Sequence, residues 1–493
     1  MISKPTAILI GAGLGGIAAA ARLARSGYRV TVVEKNPTPG GRCSQIIRDG
    51  HRFDIGATLF LMPQIFAETY AALGERMEDY LDLRKIDPTY RLHFNDGSQL
   101  ALTGDLQAMQ TQLEAIEPGS FDGLLRYLVE GSNHYHQSVD HFVGRNFYTL
   151  AEFLSPDTLQ RALRIKGLVR HFANIGRYFR HPRLKAAFTF QNMYLGLSPY
   201  DAPATYSLLQ YTELADGVWF PIGGMYRVIE SMVEIAQKQG VEFRFNTAVK
   251  QIEVDGGRAS GLLLEDGSRL QADVVIANAD LPYIYECLLP RERETARLEG
   301  KKYTCSAIMF YWGCDRVYPQ LQHHNIFLSD DYRPSFDRIF RDHLLPDEPS
   351  FYIHAPARTD PAAAPTGHDT LLGLVPCGHL DSAVPQDWEA MKARSRAFIL
   401  QRLEKEGVVD FDRHLKFEIA YTPHDWERRF HCARGSAFGL SHNFWQVGYF
   451  RPHNRHARYK NLYFVGGSTH PGTGLPMVLL SAKLTTERII NGR

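Results

Sequence analysis

Three glycines near the start of the chain have the spacing of a loop that binds the pyrophosphate of a dinucleotide. Gly11, Gly13 and Gly16 fit the pattern G-x-G-x-x-G within the segment "TAILIGAGLGGIAAAARLARSGYRVTVVEKNPTPGGR". Gly11 permits a tight turn, Gly13 lets the backbone approach the phosphates, and Gly16 lets a helix pack closely against a strand. The N–H groups and the dipole at the start of that helix then favour the anion.

A carboxylate at the end of the next predicted strand limits which dinucleotide fits this loop. Glu34 ends a β-branched run over residues 28–34, which predicts the second strand. Its oxygens would accept hydrogen bonds from a ribose 2′-hydroxyl and would repel a 2′-phosphate. NADP is therefore disfavoured, and FAD and NAD remain.

A second glycine turn follows the second strand. Gly40 and Gly41 allow another close approach of the backbone, and Arg42 has the fork of donors that pairs with a phosphate. This arrangement favours FAD, although a glycine turn beside a solvated arginine would have the same residues.

The elements that must position these residues are indicated on both sides of the loop. Residues 7–10 form an apolar run typical of a buried parallel strand, and residues 18–25 are rich in helix formers. Strand, glycine turn, helix and strand in this order are the context that the glycine pattern requires.

The last thirty residues repeat this strand, glycine turn and helix arrangement. Residues 462–465 predict a strand, and residues 475–490 predict a helix that tolerates Pro476 in its first turn. Gly467 and Gly474 lie in the turn between them. The positive end of this helix dipole is expected to stabilise negative charge on a reduced flavin.

Composition excludes several classes of protein. The 493 residues carry a formal net charge of +1, which gives no reason to expect a nucleic-acid partner. The six cysteines form no CxxC pair and no spacing with histidine that predicts a metal site, so we expect no metal and a reducing, cytoplasmic compartment. No apolar run is long enough to span a bilayer, and with the loop starting at Gly11 we expect no signal peptide before it.

Several longer stretches identify a family. They are "FDIGATLF" from position 53, "GVWFPIGGM" from position 217, "ARGSAFGLSHNFWQVGYFRPHNRH" from position 433 and "NLYFVGGSTHPGTGLPMVLLSAK" from position 461. Together with the N-terminal motif they make the whole chain resemble the phytoene desaturases of carotenoid biosynthesis, of the bacterial type. The last two stretches are much more specific than the first motif, which many flavoproteins share.

The resemblance implies an α/β fold of the glutathione-reductase and amine-oxidase type. A Rossmann-like FAD-binding domain, predicted over residues 1–75, 216–290 and 451–493, would carry an inserted α+β substrate domain over residues 76–215 and 291–450. The residues expected to bind FAD are Gly11, Gly13, Gly16, Glu34, Gly40, Gly41, Arg42, Gly56, Ala57, Thr58, Val249, Gly467, Gly474, Pro476 and Met477.

The resemblance also implies an FAD-dependent desaturase that introduces C=C bonds into a long isoprenoid polyene. Phytoene, diapophytoene and a derived carotenoid remain open as substrates, and quinone and oxygen as electron acceptors. A hydride would leave an allylic carbon for the flavin, and the delocalised cation would lose a proton. The alternatives are a carotenoid isomerase, saturase or oxidase, an amine-oxidase-like or protoporphyrinogen-oxidase-like enzyme and, least favoured, a non-catalytic isoprenoid carrier.

No acid–base pair stands out in the sequence. The catalytic residues therefore stay unknown, with Arg451 and His470, from the specific C-terminal stretches, as candidates and no base assigned. A structural role is expected for each histidine of these stretches, which are His442, His453, His456 and His470.

A basic stretch in the predicted substrate domain suggests a membrane surface. Residues 158–200 contain eight Lys or Arg and no Asp or Glu. A helical stripe is predicted from Ile165, Leu168, Phe172, Ile175 and Phe179, with Lys166, Arg170 and Arg177 on the opposite face. Peripheral membrane association is one interpretation, and a core-facing helix with a solvated basic face is the other.

Overall fold

A five-stranded parallel sheet forms the nucleotide-binding half of the molecule. The computed structural model describes residues 4–492. In spatial order the strands of this sheet are Leu462–Phe464, Val274–Ala277, Thr6–Ile10, Arg29–Val33 and Glu242–Arg244. Because both of its faces are covered, these strands are short apolar or β-branched runs rather than alternating ones. The predicted strands at both ends of the chain are therefore confirmed.

Three helices pack against one another beside this sheet. Leu14–Arg25 follows the glycine loop and contacts both Tyr226–Lys238 and Leu475–Ile490. Its alanine-rich sequence keeps its side chains small, so the neighbouring helices approach closely. The bounds of the last helix are those predicted from the sequence, with Pro476 in its first turn.

A mixed seven-stranded sheet forms the other half. In spatial order its strands are Leu415–Tyr421, Ser306–Cys314, Asp369–Cys377, Phe351–His354, His324–Phe327, Tyr90–His93 and Gln99–Leu102. The last two form a β-hairpin. All neighbours are antiparallel except His324–Phe327 and Tyr90–His93, which run parallel.

Smaller sheets and further helices complete the described chain. One antiparallel sheet consists of Val249–Asp255, Arg258–Leu264 and Arg269–Gln271, and two-stranded ribbons pair Gln45–Arg48 with His51–Asp54 and Leu83–Ile86 with Val218–Pro221. The other α-helices are Pro63–Ala72, Leu106–Ile116, Ser120–Ser138, Leu150–Phe153, Pro156–Arg164, His171–Ile175, Pro182–Ala187, Leu208–Tyr211, Leu281–Tyr283, Arg293–Glu299, Tyr332–Phe340, Trp388–Lys405, Phe411–His414 and Pro423–Phe430.

The α/β fold with a second, α+β half is confirmed, whereas the predicted domain bounds stay a prediction. The strands of the parallel sheet come from three separate segments of the chain, near its start, middle and end. The seven-stranded sheet is built from the segments between them. No helix among residues 4–492 combines the length and apolar character needed to cross a bilayer.

The predicted amphipathic helix over residues 165–179 is wrong. The helix Pro156–Arg164 ends just before Ile165, and Lys166 takes a left-handed φ of 52° that breaks the helical path. A new short helix, His171–Ile175, begins only after an extended residue. The apolar residues therefore do not share one face.

The side chains of this stretch point to different parts of the molecule. Ile165, Ile175 and Phe179 are buried, in two different hydrophobic clusters, and Phe172 packs on the Tyr200 ring at 4.4 Å. Leu168 is instead 70% exposed. The turn after Ile165 directs these apolar residues into different hydrophobic clusters, although they are spaced three and four apart in the sequence.

Candidate active site

A cavity of about 890 Å³ joins the two halves of the molecule. Its wall contains nearly all the residues predicted to bind FAD, namely Gly11, Gly13, Glu34, Gly40, Gly41, Arg42, Gly56, Ala57, Thr58, Val249, Gly467, Gly474, Pro476 and Met477. These residues lie far apart in the sequence, and the parallel sheet brings them together at the carboxyl ends of its strands. This is the edge where open α/β sheets bind their ligands.

The glycine loop shapes the first part of the wall. Gly11 has a left-handed φ of 95°, which favours glycine, and Gly13 caps the N-terminus of the helix Leu14–Arg25. A Cβ on Gly16 would lie 2.3 Å from the Gly11 carbonyl oxygen. Gly16 therefore lies between strand and helix rather than on the cavity wall, where it permits their close packing.

Glu34 and the second glycine turn lie directly beside this loop. The Glu34 carboxylate accepts hydrogen bonds from the Ala12 N–H and the Asn36 N–H, both at 2.9 Å. The Gly40 N–H donates to the Ala12 carbonyl at 2.8 Å. Two segments that the sequence analysis treated separately are thus fixed together by backbone hydrogen bonds.

Arg42 connects this turn to the C-terminal half of the wall. Its Nη1 donates to the Ala437 carbonyl at 2.9 Å, and its other terminal nitrogen lies beside Gly467. The helix Leu475–Ile490 begins at the same place, with Gly474 as its N-cap at a φ of 105°. The free N–H groups at this helix end therefore border the cavity.

The structure does not place Arg451 on the cavity wall. Its side chain is 1% exposed, and its guanidinium donates to backbone carbonyl oxygens. Those bonds are made to Thr469, Ser441, Gln446, Leu440 and Gly467. Arg451 therefore ties together the two specific C-terminal stretches and has no donor left for a ligand.

His470 is also absent from the cavity wall. Like two other histidines of these stretches, it forms hydrogen bonds to the backbone. The His470 Nε2 bonds the Arg145 carbonyl at 2.9 Å, and burial lowers the pKa of this imidazole to about 4. His442 does line the cavity, but its Nε2 accepts a hydrogen bond from the Thr473 N–H at 3.0 Å. His456 accepts from two backbone N–H groups. Each of these three histidines therefore uses a ring nitrogen to fix a backbone group in place.

Beyond the nucleotide end, the cavity is lined mainly by apolar and aromatic side chains. The lining includes Phe142, Phe153, Ala162, Ile165, Phe444, Ile326, Leu328, Tyr332, Phe336 and Ile339. Such side chains suit a hydrocarbon, because most of them have no polar group whose hydrogen bonds a hydrocarbon would leave unmade.

The lining also includes tyrosines that the sequence did not indicate. Tyr90, Tyr194 and Tyr352 belong to the wall, and the Tyr352 hydroxyl donates to Thr58 Oγ1 at 3.0 Å. Behind Tyr90 lies the buried carboxyl group of Glu213, 3.0 Å from the tyrosine oxygen. These residues come from four separate segments, so no local spacing could have indicated them.

Three buried histidines lie behind Tyr352. The ring nitrogens of His323, His324 and His354 lie within 4.8 Å of one another. The His323 and His354 Nε2 atoms already bond each other at 3.1 Å, and the Arg358 guanidinium and burial together lower the pKa of His323. No carboxylate in the described chain bonds these rings, so a cation here would lack a counter-charge.

Comparison with known proteins identifies the class. Residues 14–490 match the family of flavin containing amine oxidoreductases. The structure superposes on that of a putrescine oxidase with a TM-score of 0.67, covering 99% of each chain at 15% identity, which bears on the fold alone. Fold and family together define an FAD-dependent oxidoreductase.

Curated relatives narrow this class. A zeta-carotene-forming phytoene desaturase of Myxococcus xanthus is 47% identical over 485 residues, 98% of this chain and 93% of the relative. A 4,4′-diapophytoene desaturase of Staphylococcus haemolyticus is 34% identical, covering 98% of both chains. The chain therefore belongs to the carotenoid desaturase family, as the sequence motifs indicated.

The described residues fit the FAD of this family. The cavity begins at the glycine loop, where there is little room for a side chain. A Cβ built on Gly13 would lie 2.9 Å from the side-chain amide of Asn278. A carboxylate and a helix N-terminus lie where a ribose and an anionic group are expected. Asn278 and Asp280 also line this end, although the sequence analysis did not single them out.

Proposed function

We propose that this enzyme introduces double bonds into phytoene or a C40 polyene derived from it. The apolar cavity that runs from the glycine loop carries this proposal, because a long hydrocarbon needs such a continuous wall beside its oxidant. The relatives of 42–47% identity bear the name phytoene desaturase, whereas the diapocarotenoid enzymes are 34–35% identical. Diapophytoene is the second candidate substrate.

The residues of the chain position the substrate and exclude water. FAD, when bound, supplies an acceptor for the hydride of an allylic carbon. The residues proposed to hold it are the fourteen on the cavity wall, with Gly16 supporting the loop from behind. Phe142, Phe153 and Phe336 shield the polyene from water, so that water does not add to the cation left by hydride loss.

The test is expression of the chain in a host that supplies either phytoene or diapophytoene. We expect more extensively conjugated C40 pigments from the first host, identified by absorbance and mass, and little product from the second. With purified enzyme, quinone or oxygen should support the reaction without a nicotinamide cofactor. Saturated, isomerised or oxygenated products without new double bonds would contradict the proposal, as would a strict requirement for NAD or NADP.

We further propose that the enzyme takes its substrate from the cytoplasmic surface of a membrane. The apolar patch, defined as Leu150, Leu154, Leu159, Leu163, Leu168 and Val169, consists of side chains that are 41–70% exposed. The same segment contributes Phe153, Ala162 and Ile165 to the cavity wall. Exposed apolar side chains on a segment that also lines the cavity are suited to meet a hydrocarbon that stays dissolved in lipid.

Basic side chains flank the patch. Arg164 and Arg170 are exposed, and each would contribute on the order of 1 kcal/mol beside an anionic surface. Lys166 does not belong to this set, because it forms an ion pair with the half-buried Glu130 carboxylate. The contact with lipid is therefore assigned to the leucines rather than to the helix predicted from the sequence.

Replacing Leu163 and Leu168 together with Asp is expected to abolish binding to anionic liposomes while FAD content stays normal. Both side chains are about 70% exposed, so their loss leaves no core cavity. Sedimentation with liposomes measures binding, and activity should fall more on liposome-borne than on detergent-dissolved substrate. Val317→Asp and Val409→Asp, at exposed positions outside the patch, are the controls. Normal liposome binding by the double Asp variant would contradict this proposal.

A further inference from the structure

Glu213 is a buried carboxyl group without a cationic partner. It is 2% exposed, its Oε1 accepts a hydrogen bond from the Tyr90 hydroxyl at 3.0 Å, and its Oε2 accepts one from the Gln191 amide at 3.2 Å. Among residues 4–492 no salt bridge reaches this carboxylate. Burial outweighs these hydrogen bonds and raises the pKa of Glu213 to about 8.

Burying a carboxyl group without a cationic partner is costly. The two amides near it are also linked, since the Gln210 Nε2 donates to the Gln191 Oε1 at 2.7 Å while the Gln191 Nε2 donates to Glu213. An ionised carboxylate here would have only neutral donors around it, which weakens the folded state. A buried carboxyl group whose pKa lies near neutral pH, at a cost in stability and beside an active-site cavity, is a candidate for proton transfer.

Tyr90 connects this carboxyl group to the cavity. The tyrosine lines the cavity wall, and its ring lies 6.3 Å from the Tyr194 ring, which lines it as well. Tyr90 also packs 5.6 Å from His324, whose Nδ1 bonds the Tyr352 hydroxyl at 2.7 Å. Tyr352 in turn bonds Thr58, and Tyr90, Tyr352 and Thr58 all line the cavity that the residues proposed to hold FAD also line.

Few groups on this wall of the cavity could take the proton that desaturation releases. The groups facing Glu213 are the hydroxyls of Tyr90 and Tyr194 and the amide of Gln191, none of which is a base by itself. The histidines behind Tyr352 are poor acceptors, because burial and their mutual repulsion lower the pKa of His324 and His354 well below the ordinary range.

We propose that Glu213 takes up, through the Tyr90 hydroxyl, the proton that the substrate loses in desaturation. This inference rests on the proposed function. One C–H bond of the substrate breaks with its electron pair leaving as hydride to FAD. The adjacent C–H bond then breaks, its electron pair forms the new π bond, and its proton goes to the Tyr90 oxygen while the Tyr90 proton passes to Glu213 Oε1. Glu213 does not touch the substrate in this scheme. It acts through Tyr90, and it holds the proton after the transfer.

The decisive variant is Glu213→Gln, which keeps an oxygen for the Tyr90 hydroxyl but cannot store a proton. In single-turnover experiments without oxygen, its rate of flavin bleaching by the polyene should be at least about 100-fold below that of the wild type. The wild-type rate should rise about tenfold per pH unit up to pH 8 and then level off, because the carboxylate is the active form. The variant should show no such rise. Tyr90→Phe should lose rate to a similar degree.

A second measurement does not depend on activity. The native protein binds more protons than the unfolded chain between the ordinary pKa of 4.5 and the raised value of about 8. Stability therefore falls as the pH rises through this window in the wild type. Thermal unfolding of Glu213→Gln should lack this loss, so the variant should be the more stable protein above pH 8, with normal FAD content.

Tyr352→Phe is the matched control for removing a hydroxyl from the same wall, and it should keep the pH-dependent rise whatever its rate. The inference is overturned if Glu213→Gln retains the wild-type rate and pH profile, or if it loses rate while keeping the rise up to pH 8. A wild-type enzyme that desaturates no polyene at all would instead overturn the proposed function, so the two failures are distinguishable.

Discussion

Gly13→Val should yield a folded protein that carries no FAD. Gly13 lies on the cavity wall at the N-terminus of the helix Leu14–Arg25, where a pyrophosphate is expected to approach the backbone. A Cβ there would already lie 2.9 Å from the Asn278 amide, and the valine methyl groups would extend into the space for the phosphates. Flavin absorbance per mole of purified protein measures the effect, and we expect it to fall below a tenth of the wild-type value.

The control is Gly104→Val, at an exposed glycine that has only ordinary contacts around it. It should retain full flavin content. Stoichiometric FAD in Gly13→Val would show that the loop is placed wrongly. Gly16→Val is a poor substitute for this test, because its side chain would clash with the Gly11 carbonyl and disturb the fold itself.

Arg451→Gln is expected to destabilise the protein by on the order of 5 kcal/mol, because buried carbonyl groups that lose their donor cost about 1–3 kcal/mol each. The arginine is fully buried and serves five carbonyl oxygens. Burial lowers its pKa to about 10, so it remains a cation at neutral pH. Thermal unfolding should show a large fall in Tm, and FAD should be lost at lower temperature than in the wild type.

Arg458→Gln is the matched control, since the Arg458 side chain is 70% exposed and lies 3.6 Å from the Glu292 carboxylate. Its Tm should change little, as exposed ion pairs contribute at most about 1 kcal/mol. Arg451→Lys should be intermediate, because an ammonium group has fewer donors than a guanidinium. A stable Arg451→Gln protein that binds FAD but does not turn over would instead indicate that Arg451 acts on the substrate.

The nucleotide end of the site was predictable because its residues lie in local patterns. Gly11, Gly13 and Glu34 fall within one strand, turn, helix and strand unit, and Gly11 takes a left-handed φ that favours glycine. The C-terminal helix was predicted for the same reason, from a strand followed by glycines. Such local rules fix where an element starts and ends, and the parallel sheet then brings the elements together.

The rest of the site depends on contacts that no local pattern contains. Glu213 and Tyr90 are separated by 123 positions, and their partnership follows only from the packing of a helical segment on a strand. The sequence placed Arg451 in a specific stretch but did not indicate that its side chain turns inward to carbonyl groups. The helix predicted from Ile165 to Phe179 failed because periodicity does not reveal a left-handed residue such as Lys166.

The order of strands in the parallel sheet also determines when during synthesis the cofactor site is complete. Thr6–Ile10 pairs with Val274–Ala277, which is flanked in turn by Leu462–Phe464, and the helix Leu475–Ile490 closes the site. A nascent chain therefore holds an unfinished cofactor site until this last strand and helix have been made. Because contacts this distant in sequence form slowly, FAD is expected to bind only after these elements have folded.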